Sequence, residues 1–333
     1  MGDGWWRLDQ GMMMADRILI TRRVPPPAVG LLQEAGCEVD LVDQDDPPTR
    51  EQLLERVRGA AGLITMLSEK VDADLLEAAG GGLKVVANFA VGFDNIDLAA
   101  CRARGIRATN TPGVLTDATA DLAWSLILAA ARHVVAGDRL VRKGKWTGWA
   151  PMQFLGLQLS GATLGIVGAG RIGTAVGLRS QGFNMHVLYV DENRCDALEQ
   201  GVGARRVALN ELLTAADVVS LHVPLTPQTR HLIGREQLAA MKRSALLVNT
   251  SRGPVIDEAE LVEALKAGEI AAAGLDVYER EPRLQEGLAA LENVVILPHL
   301  GSGTTATRQK MSQMVAENVL AVLRGAEPPN AMV

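Results

Sequence analysis

Three side chains in the last third of this 333-residue sequence are of types, and at spacings, that suit joint chemistry. Arg252 stands in Asn249-Thr250-Ser251-Arg252-Gly253. Glu281 stands in Gly274-Leu275-Asp276-Val277-Tyr278-Glu279-Arg280-Glu281-Pro282, and His299 in Leu297-Pro298-His299-Leu300-Gly301. Each segment follows or ends an apolar run that reads as a strand, and the carboxyl ends of strands are where open α/β sheets bind ligands. An imidazole titrates near neutrality and can deliver a proton. A carboxylate on its other ring nitrogen favours the imidazolium. A guanidinium grips a carboxylate with paired hydrogen bonds and polarises a neighbouring carbonyl. Taken singly, each has an ordinary surface or packing role open to it. Together they are what a ketone reduction needs beside a hydride donor.

The place for that donor is read between Gly168 and Gly173. The apolar run Thr163–Val167 leads straight into Gly168-Ala169-Gly170-Arg171-Ile172-Gly173, and a helical pattern follows. Alone, a G-x-G-x-x-G string says little. Between a strand and a helix, with an acid ending the next strand, it reads as a dinucleotide-binding turn. Gly168 makes the tight turn, Gly170 lets a pyrophosphate approach the backbone, and Gly173 lets the helix pack closely. The helix start offers free N–H groups and a positive dipole end to the phosphates. The acid is Asp191, 18 positions beyond Gly173 at the end of a strand over 185–190. Its carboxylate can accept from ribose hydroxyls and would repel an added phosphate, so NAD(H) is the preferred cofactor expected. Glu192 adds to that preference, while Arg194 leaves NADP(H) as an acceptable second cofactor.

These residues must be held by a framework. Apolar runs at 17–21, 38–42, 62–66 and 84–89 alternate with helical segments at 25–35, 51–58, 72–79 and 98–104. That spacing argues for βαβ units on a parallel sheet. Thr111-Pro112-Gly113 breaks the pattern. A long helix is expected over 117–143, capped by Thr116 or Asp117 and apolar around much of its circumference. A loop rich in tryptophan and glycine covers 144–156. Further strands are expected near 163–167, 185–190, 218–221, 245–249, 271–275 and 294–297, with a closing helix at 304–323. The glycine fingerprint starts far from the amino terminus, so a separate α/β unit precedes the nucleotide-binding one. The expected fold class is α/β, with two Rossmann-like or flavodoxin-like domains, parallel sheets and an active site in the interdomain cleft.

Composition narrows the alternatives. The 33 basic and 39 acidic side chains are interspersed and give a net charge of −6, which is no footprint for nucleic acid or an acidic membrane. Cys37, Cys101 and Cys195 lie far apart without metal-ligand spacing. They read as thiols of a reducing cytoplasm, and no metal is expected. No apolar run reaches the roughly 18 residues of a membrane span. Residues 1–13 lack an apolar signal region and read as a leader or an over-called start, outside the fold.

From about residue 16 to 330 the sequence resembles the D-isomer-specific 2-hydroxyacid dehydrogenase family, most closely its glyoxylate and hydroxypyruvate reductase branch. The three segments above carry the likeness, with Asn88-Phe89-Ala90-Val91-Gly92-Phe93-Asp94-Asn95-Ile96-Asp97 and the run from Asn110-Thr111-Pro112-Gly113 to Thr119-Ala120-Asp121. The resemblance implies a flavodoxin-like substrate domain of residues 14–112 with 299–333, and an inserted NAD(P)-binding Rossmann domain of 113–298. It implies Arg252, Glu281 and His299 as the catalytic set, in the roles read above. It implies that the backbone N–H groups of Val91 and Gly92 hold the substrate carboxylate, with Leu67 lining the pocket. Thr116, Thr250, Ser251, Asp276 and Gly301 would contact the cofactor, Asp276 through the nicotinamide amide. His222, following a strand in Leu221-His222-Val223-Pro224, would line the cofactor edge, whereas His133, His186 and His231 are expected to be structural or exposed.

Trp146 and Trp149 fall in a mainly polar loop, where exposed indoles are costly unless covered. The resemblance implies a homodimer through the long helix and this loop, with Trp149 reaching the partner's substrate pocket. The expected reaction is reduction of glyoxylate, hydroxypyruvate or both, to glycolate and D-glycerate, with NAD(P)H. Two alternatives stand beside it. One is a related dehydrogenase acting on another small 2-oxo acid; formate oxidation is disfavoured by Glu281, where that branch has glutamine. The other is a nucleotide-sensing, corepressor-like binding protein of the same fold, which can keep the same triple.

Overall fold

Strands buried on both faces, rich in Val, Ile and Leu, need helices on each side of their sheet. The computed structural model describes residues 15–333, so the reading of residues 1–13 lies outside the described residues. The chain divides into two units, one of residues up to Pro112 with Arg308–Val333, the other of Gly113–Thr307.

The first unit alternates β1 (Arg17–Ile20), α1 (Ala28–Glu34), β2 (Glu38–Leu41), α2 (Arg50–Arg56), β3 (Gly62–Thr65), α3 (Ala73–Ala79), β4 (Val85–Asn88), α4 (Leu98–Ala103) and β5 (Arg107–Thr109). The strands pair in parallel in the order β2-β1-β3-β4-β5, the flavodoxin-like arrangement. Helix starts are set by side chains. Thr49 forms a capping box with Gln52 at α2, and the carboxylates of Asp72 and Asp97 accept from Leu75 and Ala100 at α3 and α4.

The second unit holds α5 (Thr116–Ala131), α6 (Val134–Arg142), β6 (Thr163–Val167), α7 (Arg171–Arg179), β7 (His186–Val190), α8 (Asp196–Val202), β8 (Arg205–Arg206), α9 (Leu209–Ala215), β9 (Val218–Leu221), α10 (Arg235–Ala240), β10 (Leu246–Asn249), α11 (Glu258–Ala267), β11 (Ala272–Leu275) and β12 (Val294–Ile296). Its parallel sheet runs β12-β11-β10-β9-β6-β7-β8, so the strand order reverses between β6 and β9. That is Rossmann topology, with the ligand crevice expected at the carboxyl ends of β6 and β9. The last helix, α12 (Thr305–Leu323), sends Val315, Ala316 and Val319 into one buried cluster with Ile18, Ile20, Ile64 and Val85 of the first unit.

The α/β class expected from the sequence is the one adopted, with three local corrections. The helix read over 117–143 is two helices, bent by 64°. His133 between them adopts a left-handed backbone (φ 51°), and the Ala131 carbonyl accepts from Leu157 N at 2.9 Å instead of continuing the helical ladder. Neither Thr116 nor Asp117 caps α5: the N-cap position is Leu115, without a side-chain cap. Asp117 instead pairs with Arg179 of α7 at 2.9 Å. Finally, residues 299–307 cluster with the second unit rather than the first. Backbone N–H groups of Leu300 and Gly301 bond to Asp276, and the Gly301 carbonyl accepts from Thr119 Oγ1, which ties this stretch to β11 and α5.

Candidate functional site

At the reversal of the second sheet, β6 turns through Gly168-Ala169-Gly170 into α7. Gly168 has φ +95°, and a Cβ there would stand 2.8 Å from the His222 carbonyl carbon and from Val223 N. A Cβ at Gly173 would stand 2.0 Å from the Gly168 carbonyl oxygen. At Gly170 a Cβ would meet nothing within 4 Å, so this glycine leaves an open approach to the backbone at the helix start. The three positions therefore behave as a dinucleotide turn requires. No side chain caps α7, which leaves its first N–H groups, beginning with Arg171 and Ile172, for an anion.

Asp191 closes this region. Its Oδ2 accepts from Ala169 N at 2.8 Å and its Oδ1 from Asn193 N at 3.0 Å. The carboxylate is thus fixed beside the glycine turn, half-buried, at the end of β7. Thr250, after β10, has a buried hydroxyl without a hydrogen-bond partner, a polar atom that a bound group could satisfy. These features fit a nicotinamide dinucleotide. His222 sits where β9 ends, its Nε2 2.8 Å from Ser220 Oγ. Burial pushes its imidazole down to about 3, so it is neutral near pH 7 and is no proton donor.

Arg252, Glu281 and His299 follow β10, β11 and β12, neighbouring strands of the same sheet. His299 Nδ1 lies 2.9 Å from Glu281 Oε2. Burial opposes ionisation of Glu281, but the His299 hydrogen bond and charge, the Tyr278 N–H and the Arg252 charge outweigh it, holding the carboxyl below its ordinary range. Arg252 is oriented by its own turn: Asn249 Nδ2 donates to its carbonyl at 2.9 Å, and Asn249 Oδ1 accepts from Ser251 N and Oγ. Its Nη1 donates to the Ser251 carbonyl at 2.8 Å.

The sequence did not reveal how these three are held together. Asp276, expected only as a cofactor contact, is 1% exposed, and its Oδ1 and Oδ2 accept from Leu300 N at 2.6 Å and Gly301 N at 2.8 Å. Its carbonyl also accepts from His299 N at 2.9 Å. Asp276 thereby fixes the loop on which His299 adopts a left-handed backbone (φ 54°). Desolvation raises its pKa against those N–H bonds and the His299 charge. Tyr278 ties the ends of β11 and β12 together, its hydroxyl donating to the Leu297 carbonyl at 2.7 Å. Glu258, 3% exposed at the start of α11, accepts from Glu279 N at 2.8 Å, and burial raises its pKa. For Asp276 and Tyr278 the sequence signal was proximity to Glu281, whereas Glu258, on a different element, carried none.

In the first unit, Leu67 lies in the loop after β3, and Val91 and Gly92 lie in the loop after β4, all half-buried. The carbonyls of Val91 and Gly92 accept from Asn110 Nδ2 at 2.8 Å and Asn88 Nδ2 at 2.7 Å. Their N–H groups have no hydrogen-bond acceptor among the described residues. In the second unit, Trp149 is 82% exposed, with Trp146, Met152 and Leu155 of the same loop also exposed. Among the described residues no His, Cys, Asp or Glu group could hold a metal ion, and no single helix is long and apolar enough to cross a membrane.

With this geometry in view, the comparisons with known proteins agree on one family. The family model for D-isomer specific 2-hydroxyacid dehydrogenase, NAD binding domain, matches residues 124–301. A glyoxylate reductase of Korarchaeum cryptofilum is 50% identical over 319 residues, covering 95% of this chain and 96% of that one. A crystallised protein of Thermus thermophilus is similar with a TM-score of 0.89 and 48% identity, over 95% of this chain and 100% of that chain. An NADPH-dependent glyoxylate/hydroxypyruvate reductase of Sinorhizobium meliloti, crystallised with NADP and malonate, gives a TM-score of 0.83 at 33% identity, over 96% and 97% of the two chains.

Proposed function

The chain belongs to the D-isomer-specific 2-hydroxyacid dehydrogenase family, and on that premise we propose that it reduces glyoxylate to glycolate, and hydroxypyruvate to D-glycerate, with NADH preferred to NADPH. The observation that carries the reading is the Glu281–His299 pair, 2.9 Å apart, beside Arg252. With Nδ1 engaged by Glu281, His299 presents Nε2 as the proton-donating atom. Arg252 pairs with the 2-oxo acid and polarises its carbonyl, so that negative charge developing on oxygen meets a fixed cation. The N–H groups of Val91 and Gly92 take the carboxylate, and Leu67 bounds the substituent at the other end.

The glycine turn, the first N–H groups of α7, Asp191 and Thr250 would hold the dinucleotide. Ser251, Asp276, Gly301, Thr116 and His222 complete its surroundings in this reading. Bound there, the reduced nicotinamide supplies the hydride. Glyoxylate, NADH and one proton then give glycolate and NAD⁺, the proton coming from His299. The working form is a homodimer, a reading supported by the exposed apolar loop around Trp149. Free Cys37, Cys101 and Cys195 fit a cytoplasmic enzyme.

An NADH-oxidation screen against glyoxylate, hydroxypyruvate, pyruvate and larger 2-oxo acids tests the reading. Glyoxylate and hydroxypyruvate are expected to give the highest kcat/KM. No turnover with any 2-oxo acid would overturn it.

A further inference from the structure

The first sheet reverses its strand order between β1 and β3, and one buried carboxylate lies beyond the ends of both strands. Glu69 is 3% exposed. Its Oε2 accepts from Thr21 Oγ1 at 2.9 Å, Thr65 Oγ1 at 3.2 Å and Met66 N at 2.5 Å. Its Oε1 accepts from Ser68 Oγ and from the Arg22 guanidinium, each at 2.7 Å. A charge this well removed from water persists only where donors and a counter-charge meet it. Here they fix the loop that carries Leu67.

That loop is fastened in turn to the segment carrying Val91 and Gly92. Asn95 Nδ2 donates to the carbonyls of Met66 at 3.0 Å and Glu69 at 3.1 Å. Asn95 Oδ1 accepts from Asn88 Nδ2 at 3.1 Å, and the same Asn88 nitrogen donates to the Gly92 carbonyl at 2.7 Å. One polar network therefore runs from the ends of β1 and β3, through the 66–69 loop, to the peptide whose neighbouring N–H groups lack acceptors. Well-satisfied polar networks of this kind rigidify what they join.

We propose that Glu69, Asn95 and Asn88 are positioning residues for the 2-oxo acid, setting the gap between the Leu67 side chain and the N–H pair of Val91 and Gly92. That gap measures the substrate from its carboxylate to its far substituent, so the network determines which chain lengths fit. The inference rests on the 2-oxo acid reduction proposed above. None of the three side chains has to touch substrate; they act through the loops that they join.

The test uses Asn95→Ala, which removes the link between the loops, and Asn88→Ala, which frees the Gly92 carbonyl but leaves Asn95 its bonds to Met66 and Glu69. Losing such buried bonds is expected to raise KM for glyoxylate by about tenfold. We expect kcat to stay near wild type, KM for NADH to be unchanged, and the preference between glyoxylate and hydroxypyruvate to flatten. Binding of oxamate to the enzyme–NADH complex, measured by calorimetry, should weaken in step without depending on turnover. If Asn95→Ala does not fold, Asn88→Ala carries the test. Unchanged KM and oxamate binding in a wild-type-active background would overturn this inference alone, as would a parallel rise in KM for NADH. Wild-type protein that binds NADH but reduces no 2-oxo acid would remove the reading beneath it, and the inference with it.

Discussion

Gly253 lies so close to Tyr278 that a Cβ on it would stand 1.8 Å from the Tyr278 carbonyl carbon and 2.0 Å from its oxygen. The turn that orients Arg252 and the segment that leads to Glu281 are therefore packed backbone on backbone. Only glycine permits this, for reasons of space rather than dihedral angle, since Gly253 has no positive φ. Gly253→Ala must push the two segments apart. Displacing reacting groups by about 1 Å can cost about 10²-fold in rate, and that is the fall in kcat expected with glyoxylate. Steady-state kinetics on the folded variant decide it; wild-type kcat would show that the close approach does not matter to the reaction.

The proposed catalytic set makes a sharper prediction. His299→Ala should lower turnover by about 10²–10⁴-fold, because the developing alkoxide loses its proton donor. Arg252→Ala should chiefly raise KM for the 2-oxo acid and also slow turnover, since the carbonyl loses its cation. Wild-type turnover by His299→Ala would refute the mechanism.

Glu281→Gln should move the pH optimum for reduction to lower pH, because the imidazolium loses its charged partner. A stability effect accompanies it. The carboxyl of Glu281 is held below its ordinary range, so its contribution is present above the unfolded value and lost as pH falls through the folded value. The Tm advantage of wild type over Glu281→Gln should accordingly shrink in acid. A constant advantage down to strongly acid pH, or an unmoved optimum, would contradict the assignment.

These predictions differ in how far the sequence could have led to them. The glycine turn, Asp191 and the three strand-end segments were legible because each pairs a residue type with a local backbone need. Asp276 was expected at the cofactor, but its clamp on Leu300 and Gly301, a contact across 24 and 25 positions, was not legible. Glu69 gave no signal at all, since its partners Thr21 and Arg22 lie 48 and 47 positions away. The break at His133 was hidden because 117–143 is largely apolar in its first half, and periodicity does not report a carbonyl captured by distant Leu157. β5 and β8, with three and two residues, are too short to form a recognisable run.

The exposed loop after α6 leads to an oligomer prediction. Trp146, Trp149, Met152 and Leu155 of this loop are all exposed, and large apolar side chains gathered in the open mark an interaction surface. Light scattering at micromolar concentration should report twice the chain mass. Replacing Trp149 with alanine should raise KM for the 2-oxo acid if its indole reaches the partner's pocket, while leaving KM for NADH unchanged. A monomer at that concentration would refute the pairing.

In the proposed reading, cofactor choice turns on Asp191 and the cations near it. The carboxylate is fixed by Ala169 N and Asn193 N, and Arg206 secures the turn by donating to the carbonyls of Asp191 at 3.0 Å and Glu192 at 2.6 Å. Arg194, the residue that could have welcomed an extra phosphate, is paired with Asp196 at 3.0 Å and Glu199 at 2.7 Å. Moving it to a phosphate would break both pairs. A phosphate beside Asp191 would instead meet a like charge, worth about 1–4 kcal/mol at about 4 Å between water and protein-surface dielectric. NADH should therefore exceed NADPH in kcat/KM by about tenfold or more. Asp191→Ser with Glu192→Arg should shift the ratio toward NADPH by removing the carboxylate and adding a cation that no acid already holds. Initial rates with each cofactor, at equal concentrations below saturation, read the ratio directly; a wild-type enzyme faster with NADPH would overturn the assignment.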